Sequence, residues 1–350
     1  MKLLVTGGAG FIGSNFIRWV LSEDRDAQVL NLDKLTYAGN LANLAEVAIS
    51  LELRNRYRFV RGDIADVTLL ESLLDENFDA IVNFAAETHV DRSIQGVLPF
   101  LQTNYLGTHS LIETARQRSI PRFIQISTDE VYGSADEGRC FSETALLRPS
   151  NPYAASKAAA DLLVLSYVNT YKLPALVLRC SNNYGPCQFP EKLIPLMIAN
   201  ALSDKPLPVY GDGLNVRDWI YVDDHCRAIY LALKKGQIGQ VYNVGGVALR
   251  TNLEVVQGVL RLLGKSESLI TFVEDRPGHD RYYALDSSKL RVELGWSPLT
   301  SFEEGLERTT GWYLDHREWM QNCCSGEYRE YYQKHYTERR ETFRRLGVSA

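Results

Sequence analysis

A glycine-rich turn near the start of the chain restricts the fold more than any other feature. Lys2–Thr6 is a short apolar run that predicts a buried strand, and residues 12–21 have the pattern of a helix. Between them, Gly7 permits a tight turn, Gly10 lets the backbone approach a pyrophosphate, and Gly13 lets the helix pack against a sheet. This order of strand, turn and helix indicates a dinucleotide site, with a purely structural glycine turn as the alternative.

Strand-like and helix-like segments alternate through the first half of the chain. Further strands are predicted at 28–32, 57–61, 80–84, 122–127 and 176–179, and helices at 67–74, 101–118 and 154–171. Such alternation is typical of parallel strands joined by crossover helices. It predicts an α/β fold, a Rossmann-type doubly wound parallel sheet with a smaller C-terminal substrate-binding lobe.

The pattern changes after Ser181, where prolines cluster and the alternation weakens. We therefore expect a Rossmann domain over residues 1–184, and over 185–350 mainly the substrate lobe and a C-terminal tail. Strand-like segments at 216–222 and 240–244 are expected to return to the first sheet. From about His316 the chain is charged and aromatic, which predicts a surface helix.

An acid stands where a dinucleotide site needs one. Asp33 follows the second predicted strand, twenty positions after Gly13, where it would accept both hydroxyls of the adenosine ribose and repel a 2′-phosphate. This favours NAD over NADP. Asp63 follows the third predicted strand and either caps the next helix or holds the adenine amino group. The glycine spacing resembles that of the short-chain dehydrogenase/reductase group.

Tyr153 and Lys157 lie four residues apart, on one face of a predicted helix. A free phenol has a pKa of about 10 and is a poor base at neutral pH. The lysine charge and the positive nicotinamide ring are expected to lower the pKa of Tyr153, which then takes a hydroxyl proton while hydride leaves to NAD. Lys157 could also hold the nicotinamide ribose.

Two adjacent carboxylates, Asp129 and Glu130, follow the predicted strand at 122–127. The carboxyl ends of parallel strands are where doubly wound sheets bind ligands. The pair is either a helix cap or solvated turn, or a divided pair with one acid protonated and one ionised. An enzyme that oxidises a sugar and then eliminates water needs such a pair, whereas an epimerase does not.

Longer segments resemble the dTDP-glucose 4,6-dehydratases, a family of extended short-chain dehydrogenases/reductases. They are residues 85–93, 128–133, 182–186, 189–195, 216–219 and 276–281. The resemblance runs from Lys2 to about Trp312, with departures at Cys187, usually aromatic, and Thr88, commonly serine. It implies that dTDP-glucose becomes dTDP-4-keto-6-deoxyglucose by C4 oxidation to NAD, loss of water across C5 and C6, and hydride return to C6.

The resemblance also implies roles for individual residues. Thr128 would hydrogen-bond the 4-oxygen, Glu130 would remove the C5 proton, and Asp129 would protonate the departing 6-hydroxyl. The residues expected to bind NAD are Gly7, Gly10, Phe11, Ile12, Gly13, Asp33, Lys34, Leu35, Thr36, Asp63, Ile64, Ala85, Ala86, Glu87, Thr103, Tyr153, Lys157 and Asn183. Those expected to bind the sugar nucleotide are Thr88, Thr128, Asn182, Lys192, Leu193, Pro208, Tyr210, Arg217, Asn252, Arg276 and His279.

Some of these assignments have an alternative interpretation. Lys192, Arg217 and Arg276 have the clearest physical case, because cations bind a diphosphate. Each could instead form a surface or interdomain ion pair, and His279 could be a polar core histidine. The whole chain could also be a 4-epimerase, a UDP-glucuronate decarboxylase, a UDP- or CDP-sugar dehydratase, or a non-catalytic NAD sensor.

Composition and charge bear on partners and location. Lys and Arg number 38 against 43 Asp and Glu, so the net charge of −5 gives no footprint for nucleic acid or an anionic membrane. The sequence has no apolar run of about eighteen residues. Six scattered cysteines and six scattered histidines predict free thiols, no metal and a cytoplasmic location. The family resemblance implies a homodimer, with 101–118 and 154–171 in a four-helix contact.

Overall fold

The computed structural model describes residues 1–325 of the chain. The strands in this part are β1 (Lys2–Thr6), β2 (Gln28–Asp33), β3 (Tyr57–Arg61), β4 (Ala80–Asn83), β5 (Phe123–Thr128), β6 (Ala175–Cys180), β7 (Asn182–Tyr184), β8 (Leu207–Tyr210), β9 (Val216–Tyr221), β10 (Val241–Val244), β11 (Leu249–Thr251) and β12 (Ile270–Val273). The helices are α1 (Phe11–Glu23), α2 (Ala45–Ile49), α3 (Val67–Leu73), α4 (Val90–Gln95), α5 (Leu98–Phe100), α6 (Thr108–Gln117), α7 (Pro152–Tyr171), α8 (Leu193–Leu202), α9 (Val222–Lys235), α10 (Asn252–Leu263), α11 (Ser288–Leu294), α12 (Phe302–Asp315) and α13 (Arg317–Cys323).

Seven parallel strands of the described residues form the large sheet, in the order β3-β2-β1-β4-β5-β6-β10. This doubly wound order confirms the predicted α/β Rossmann-type fold. The chain order reverses between β1 and β4, where Leu3 pairs with Ala80. Ligands of such sheets bind outside the carboxyl ends of the strands at this reversal, so the order already locates a site.

Helices cover both faces of this sheet, which explains why its central strands β4, β5 and β6 are buried at every position. Successive residues of β1 point to opposite faces: Leu3 and Val5 pack in one core with Phe16 of α1, and Leu4 packs in another with Leu111 of α6. All four β1 and α1 side chains are fully buried. The glycine turn therefore follows a strand that is anchored in two cores, one on each face of the sheet.

The second lobe contains a three-stranded sheet, β11-β9-β7, and a two-stranded sheet, β12-β8. Its core includes Trp219 of β9, Val255 of α10 and Leu306 of α12. The segment 240–244 contributes β10, which pairs with β6 in the large sheet. The expectation that 216–222 also returns to that sheet is wrong: β10 occupies the β6 edge, and β9 pairs with β7 and β11 instead.

Two helical predictions differ in detail from the structure. The helix predicted at 101–118 starts at Leu98, is π-helical over Leu101–Gly107 and continues as α6. The surface helix predicted from His316 corresponds to α13 as far as Cys323, and the rest of that prediction, from residue 326, lies outside the described residues. Among residues 1–325, none of the helices is both long and apolar enough to cross a membrane.

Candidate active site

A cavity of about 290 Å³ opens at the carboxyl ends of β1, β4 and β5. Its walls contain the glycine turn, the end of β2 and the start of α7. The residues predicted to bind NAD all line it apart from Leu35. Leu35 instead donates its backbone N–H to the Asp33 carboxylate at 2.7 Å. The structure thus gathers into one cleft side chains that are far apart in the sequence.

The glycine turn leaves room for a phosphate group. Gly7 has a φ of +67°, and a Cβ there would lie 2.6 Å from the backbone nitrogen of Ala85. A Cβ on Gly13 would lie 2.4 Å from the carbonyl oxygen of Gly7. Gly10 precedes α1 without a side-chain cap, so the first N–H groups of the helix stay available to an anion at the cavity wall. These features fit the pyrophosphate of NAD.

Asp33 lies at the cavity wall with its carboxylate held in place. Oδ2 accepts the backbone N–H of Ala9 at 2.9 Å, and Oδ1 accepts that of Leu35. Burial raises the pKa of Asp33, although both hydrogen bonds oppose the shift. Each oxygen keeps a further lone pair for a ribose hydroxyl.

Asp63 lines the same cavity and does not cap the next helix. Its carboxylate accepts the backbone N–H of Ala65 and forms an ion pair with Lys34 at 2.6 Å. The cap of α3 is Asp66, which accepts the N–H of Leu69. Of the two readings of Asp63, capping is therefore wrong, and a role at the cofactor stays a prediction.

Thr128, Asp129 and Glu130 form the turn that leaves β5. The Thr128 hydroxyl donates to Asp129 Oδ1 at 3.2 Å and accepts the backbone N–H of Glu130 at 3.3 Å. Asp129 is buried, and its Oδ2 has no hydrogen-bond partner within residues 1–325. Burial, and next the charge of Glu130, raise the pKa of Asp129 well above its usual range. This environment favours a protonated Asp129, as a divided pair requires.

Tyr153 and Lys157 lie one turn apart on α7, and both are buried. The Lys157 ammonium donates to the carbonyl oxygen of Ile126 at 2.7 Å, and burial lowers its pKa. The pKa of Tyr153 is raised well above its usual range, first by burial and then by the charge of Glu130. The sequence predicted the opposite direction, from the charges of Lys157 and the nicotinamide ring, whereas desolvation of the phenolate is the largest effect on the pKa in the structure.

A second cavity, of about 160 Å³, adjoins the first on the side of the smaller lobe. The predicted substrate residues line this cavity, apart from Thr88 and Thr128, which line the first. Glu130, Asn182, Glu191 and Lys192 line both cavities. These four residues therefore mark the boundary between the two cavities.

Three basic side chains stand around the second cavity. Lys192 donates to the carbonyl oxygen of Thr88 at 2.9 Å, and Arg217 donates to that of Asp280 at 2.8 Å. The Nε of Arg276 is buried without a hydrogen-bond partner among the described residues. Burial lowers the pKa of Arg217, and the nearby charge of Arg276 acts in the same direction. An anion between the two guanidinium groups would relieve this repulsion.

His279 also lines the second cavity. Its Nδ1 lies 2.5 Å from an oxygen of Asp275, and its ring packs edge-on against Tyr210. Burial lowers the pKa of His279 to about 4, although the hydrogen bond to Asp275 opposes the shift. The imidazole is therefore neutral at pH 7, available to a ligand as a hydrogen-bonding group rather than as a cation.

The structure adds two residues that sequence reasoning missed. Glu191 is buried at the boundary of the cavities and accepts the Tyr37 hydroxyl at 2.9 Å. Asn151 precedes Pro152 and caps α7, and its amide nitrogen also donates to Glu130 at 3.3 Å. An asparagine before proline at a helix start signals the cap, but no sequence signal predicts the contact with Glu130. Among residues 1–325 no group of three or more His, Cys, Asp and Glu side chains is placed to hold a metal ion.

Comparisons with known proteins agree with this geometry. The family model for GDP-mannose 4,6 dehydratase matches residues 4–309. The dTDP-glucose 4,6-dehydratase of Xanthomonas campestris pv. campestris (strain B100) is 53% identical over 345 residues, covering 93% of this chain and 97% of the relative. The crystal structure of the Streptomyces venezuelae dTDP-glucose 4,6-dehydratase with NAD bound is 49% identical, with a TM-score of 0.89 over 92% of this chain and 100% of that one. A Thermus thermophilus UDP-glucose 4-epimerase complex with NAD is 32% identical, with a TM-score of 0.82 over 90% of this chain and 100% of that chain.

Proposed function

This chain belongs to the dTDP-glucose 4,6-dehydratase family of extended short-chain dehydrogenases/reductases, and we propose from that premise that it converts dTDP-glucose to dTDP-4-keto-6-deoxyglucose. It is an NAD-dependent hydro-lyase. The observation that carries the proposal is the pair of adjacent acids: Asp129, with its pKa raised, lines the first cavity, and Glu130 lines both cavities. Oxidation alone has no use for such a pair.

Oxidation of the sugar takes place between Tyr153 and Thr128. When bound in the first cavity, NAD would supply the acceptor for the C4 hydride and the donor for its return to C6. Tyr153 takes the proton of the 4-hydroxyl, and the Thr128 hydroxyl hydrogen-bonds the same oxygen. The Lys157 ammonium is fixed by its bond to Ile126, where its charge favours the phenolate of Tyr153 and its position suits the nicotinamide ribose.

Elimination of water uses the two acids in opposite protonation states. The ketone at C4 makes the C5 proton acidic, and Glu130 removes it. Asp129 gives its proton to the 6-hydroxyl, which leaves as water. After hydride reaches C6, Glu130 returns the proton to C5. Tyr153 then releases the 4-hydroxyl proton to solvent and Asp129 takes one proton from solvent, so the enzyme ends as it began. The unpartnered Oδ2 of Asp129 is the oxygen available to the 6-hydroxyl.

The remaining predicted residues bind the two ligands. The N–H groups at the start of α1 hold the pyrophosphate of NAD, and Asp33 holds the adenosine ribose. Lys192, Arg217 and Arg276 bind the substrate diphosphate. The Rossmann domain of 1–184 thus supplies most of the cofactor site, and the lobe of 185–350 most of the nucleotide site.

A dehydratase accounts for the site better than a 4-epimerase or a decarboxylase. Both are expected to share a glycine turn and a Tyr–Lys pair with this chain, and the Thermus epimerase complex with NAD has a similar fold. Neither needs a protonated acid beside an ionised one. The relatives at about half identity are dehydratases, whereas the epimerase shares only about a third of its residues.

The assembly is a homodimer in the cytoplasm. Leu98, Leu101 and Leu106 are exposed on the helix formed by α5 and its π-helical continuation, and Leu162 is exposed on the adjoining α7. Such a patch supports a four-helix contact with a second copy. The six cysteines are all free thiols, which supports a reducing compartment.

The first test is mass spectrometry of dTDP-glucose after incubation with the purified protein, without added reductant. We expect the sugar nucleotide to lose one water with no net NADH, because hydride is returned within each turnover. Asp129→Asn and Glu130→Gln should keep hydride transfer to NAD, seen as bound NADH, and lose dehydration. Unchanged substrate mass, or full dehydration by both variants, contradicts the proposal.

A further inference from the structure

Asn151 makes two contacts that connect the start of α7 with the acid turn. Its Oδ1 accepts the backbone N–H of Ala154 at 2.9 Å, which caps the helix. Its Nδ2 donates to Glu130 Oε2 at 3.3 Å. The side chain is buried, with 7% of its surface exposed. One amide thus spans the gap between a helix end and a carboxylate.

The orientation of this amide follows from its partners. A backbone N–H can only donate, so the atom of Asn151 that faces Ala154 has to be the oxygen. The nitrogen is then left facing Glu130, which as a carboxylate can only accept. Both halves of the amide are matched, and rotating it by half a turn would spoil both contacts.

The segment that carries Asn151 is fixed from both sides. Pro152 occupies the first turn of α7, where its restricted φ suits the helix. On the other side, the Ser150 hydroxyl donates to the Asp280 carboxylate. Tyr153 follows two residues after Asn151, so the same short segment positions the phenol as well as the contact to Glu130.

We propose that Asn151 is a positioning residue for Glu130, holding its carboxylate towards the sugar's C5 at a fixed place relative to Tyr153. The inference rests on the proposed function, in which Glu130 removes the C5 proton. The amide supplies a donor to the ionised carboxylate, and the helix cap keeps that donor from rotating away. Oxidation at C4 and elimination at C5 then share one rigid reference point, the first turn of α7.

Asn151→Asp tests this with little change in shape. Aspartate caps a helix as well as asparagine does, but it replaces the donor beside Glu130 with a second negative charge. We expect exchange of the C5 hydrogen with deuterated solvent to slow by about tenfold or more. The acid limb of the pH profile of this exchange should move to higher pH, because the substitution places a second negative charge beside the carboxylate that accepts the proton.

The substitution leaves the other charged groups around Glu130 in place. These are Asp129 on the same turn, Tyr153 on α7, Arg217 on β9, and Arg276 and Tyr283 before α11. Formation of bound NADH in a single turnover should slow less than C5 exchange does, since C4 oxidation does not use Glu130. KM and the melting temperature should also stay near the wild-type values, which separates positioning from a structural role.

Two further variants make every outcome decisive. Asn151→Ser keeps a capping oxygen without the added charge, so it should slow C5 exchange and leave the acid limb where it is. If both Asn151 variants exchange C5 at the wild-type rate while Glu130→Gln does not, the positioning role is overturned and the proposed function stands. If Glu130→Gln itself exchanges C5 normally, the base assignment fails and the inference fails with it.

Discussion

Asp129 shows how a side chain proposed to act in catalysis can oppose folding. Its carboxyl is 3% exposed, and burial raises its pKa well above the usual range. The native state therefore holds the proton more tightly than the unfolded chain does. Stability falls as the pH rises from the unfolded pKa to the native one, by about 1.4 kcal/mol for each unit that separates them.

Asn resembles the protonated form of Asp129, so Asp129→Asn should stabilise the protein at neutral pH even though it abolishes dehydration. The gain in the free energy of unfolding should grow as the pH rises above about 4, the unfolded pKa of an aspartate, and disappear towards about pH 2, where Asp129 is protonated in both states. Denaturant unfolding at several pH values measures it. Asp136→Asn is the matched control, because that side chain is 81% exposed and should give no pH-dependent gain. A stability difference that is flat with pH contradicts the argument.

At the same scale, the sequence predicted residue types better than their environments. The adjacent acids and the Tyr153–Lys157 pair were visible because each lies within a few residues, and the structure places all four around one cavity. The raised pKa of Tyr153 was not predicted, since it depends on burial and on Glu130 from another element. Glu191 was missed for a similar reason: its partner Tyr37 lies 154 positions away in the chain.

At the scale of elements, two glycines of the turn before α1 differ in how closely their neighbours would contact an added methyl group. A methyl group on Gly13 would meet the Gly7 carbonyl at 2.4 Å and the Gly8 Cα at 2.8 Å. Both neighbours are backbone atoms, so α1 itself would have to shift. A methyl group on Gly10 would meet the Gly7 carbonyl at 3.3 Å and no other atom of the described residues within 4 Å.

Gly13→Ala should therefore destabilise the cofactor-free protein, by about 1–3 kcal/mol, as overpacked cores do. Gly10→Ala should leave that stability nearly unchanged and weaken NAD binding, because its methyl group occupies the space where a pyrophosphate approaches the backbone. Thermal unfolding without cofactor and titration with NAD measure the two effects. Equal loss of stability in both variants would contradict this separation of roles.

Periodicity and spacing located the strands of the large sheet within a residue or two, because β1 and its neighbours are continuous apolar runs. The same reasoning failed where the pairing of a strand or the geometry of a helix depends on residues that are distant in the chain. The segment 216–222 has a strand pattern, but which sheet it joins is decided by β10 taking the β6 edge. The π-helical stretch before α6 contains Asn104, which exchanges two hydrogen bonds with the backbone of Glu87. The local sequence pattern does not indicate such a contact.

At the scale of the molecule, the two cavities adjoin because the two lobes pack against each other. Glu130 follows β5 of the large sheet and lines both cavities. Arg217 lies on β9 of the smaller lobe and lines the second cavity, and Asn182 begins β7, which pairs with β9. The sequence predicted a substrate lobe from its change of pattern, and the family resemblance supplied the residues in it. The contact between the two cavities was not predicted from the sequence, because it results from the packing of one lobe against the other.

The exposed leucines of α5, its π-helical continuation and α7 lead to a prediction about assembly. Leu106 is 52% exposed and Leu162 is 58% exposed, on helices that pack against each other. Apolar surface gains about 25 cal/mol per Å² when it is removed from water, and a stable dimer buries roughly 800 Å² per partner. Two such helices from each of two copies can supply an interface of that kind as a four-helix contact.

Leu106→Arg and Leu162→Arg should each convert a dimer to a monomer, because each places a charge in the centre of the apolar contact. Leu146→Arg is the control: that leucine is 70% exposed in the loop before α7, so the substitution should leave the mass unchanged. Light scattering of the three variants and the wild type at equal concentration decides the matter. A monomeric wild type, or dimers in all three variants, would exclude this surface as the dimer contact. Neither helix replacement touches a cavity wall, so a monomer that keeps its cofactor and its dehydratase activity would further show that each active site is complete within one chain.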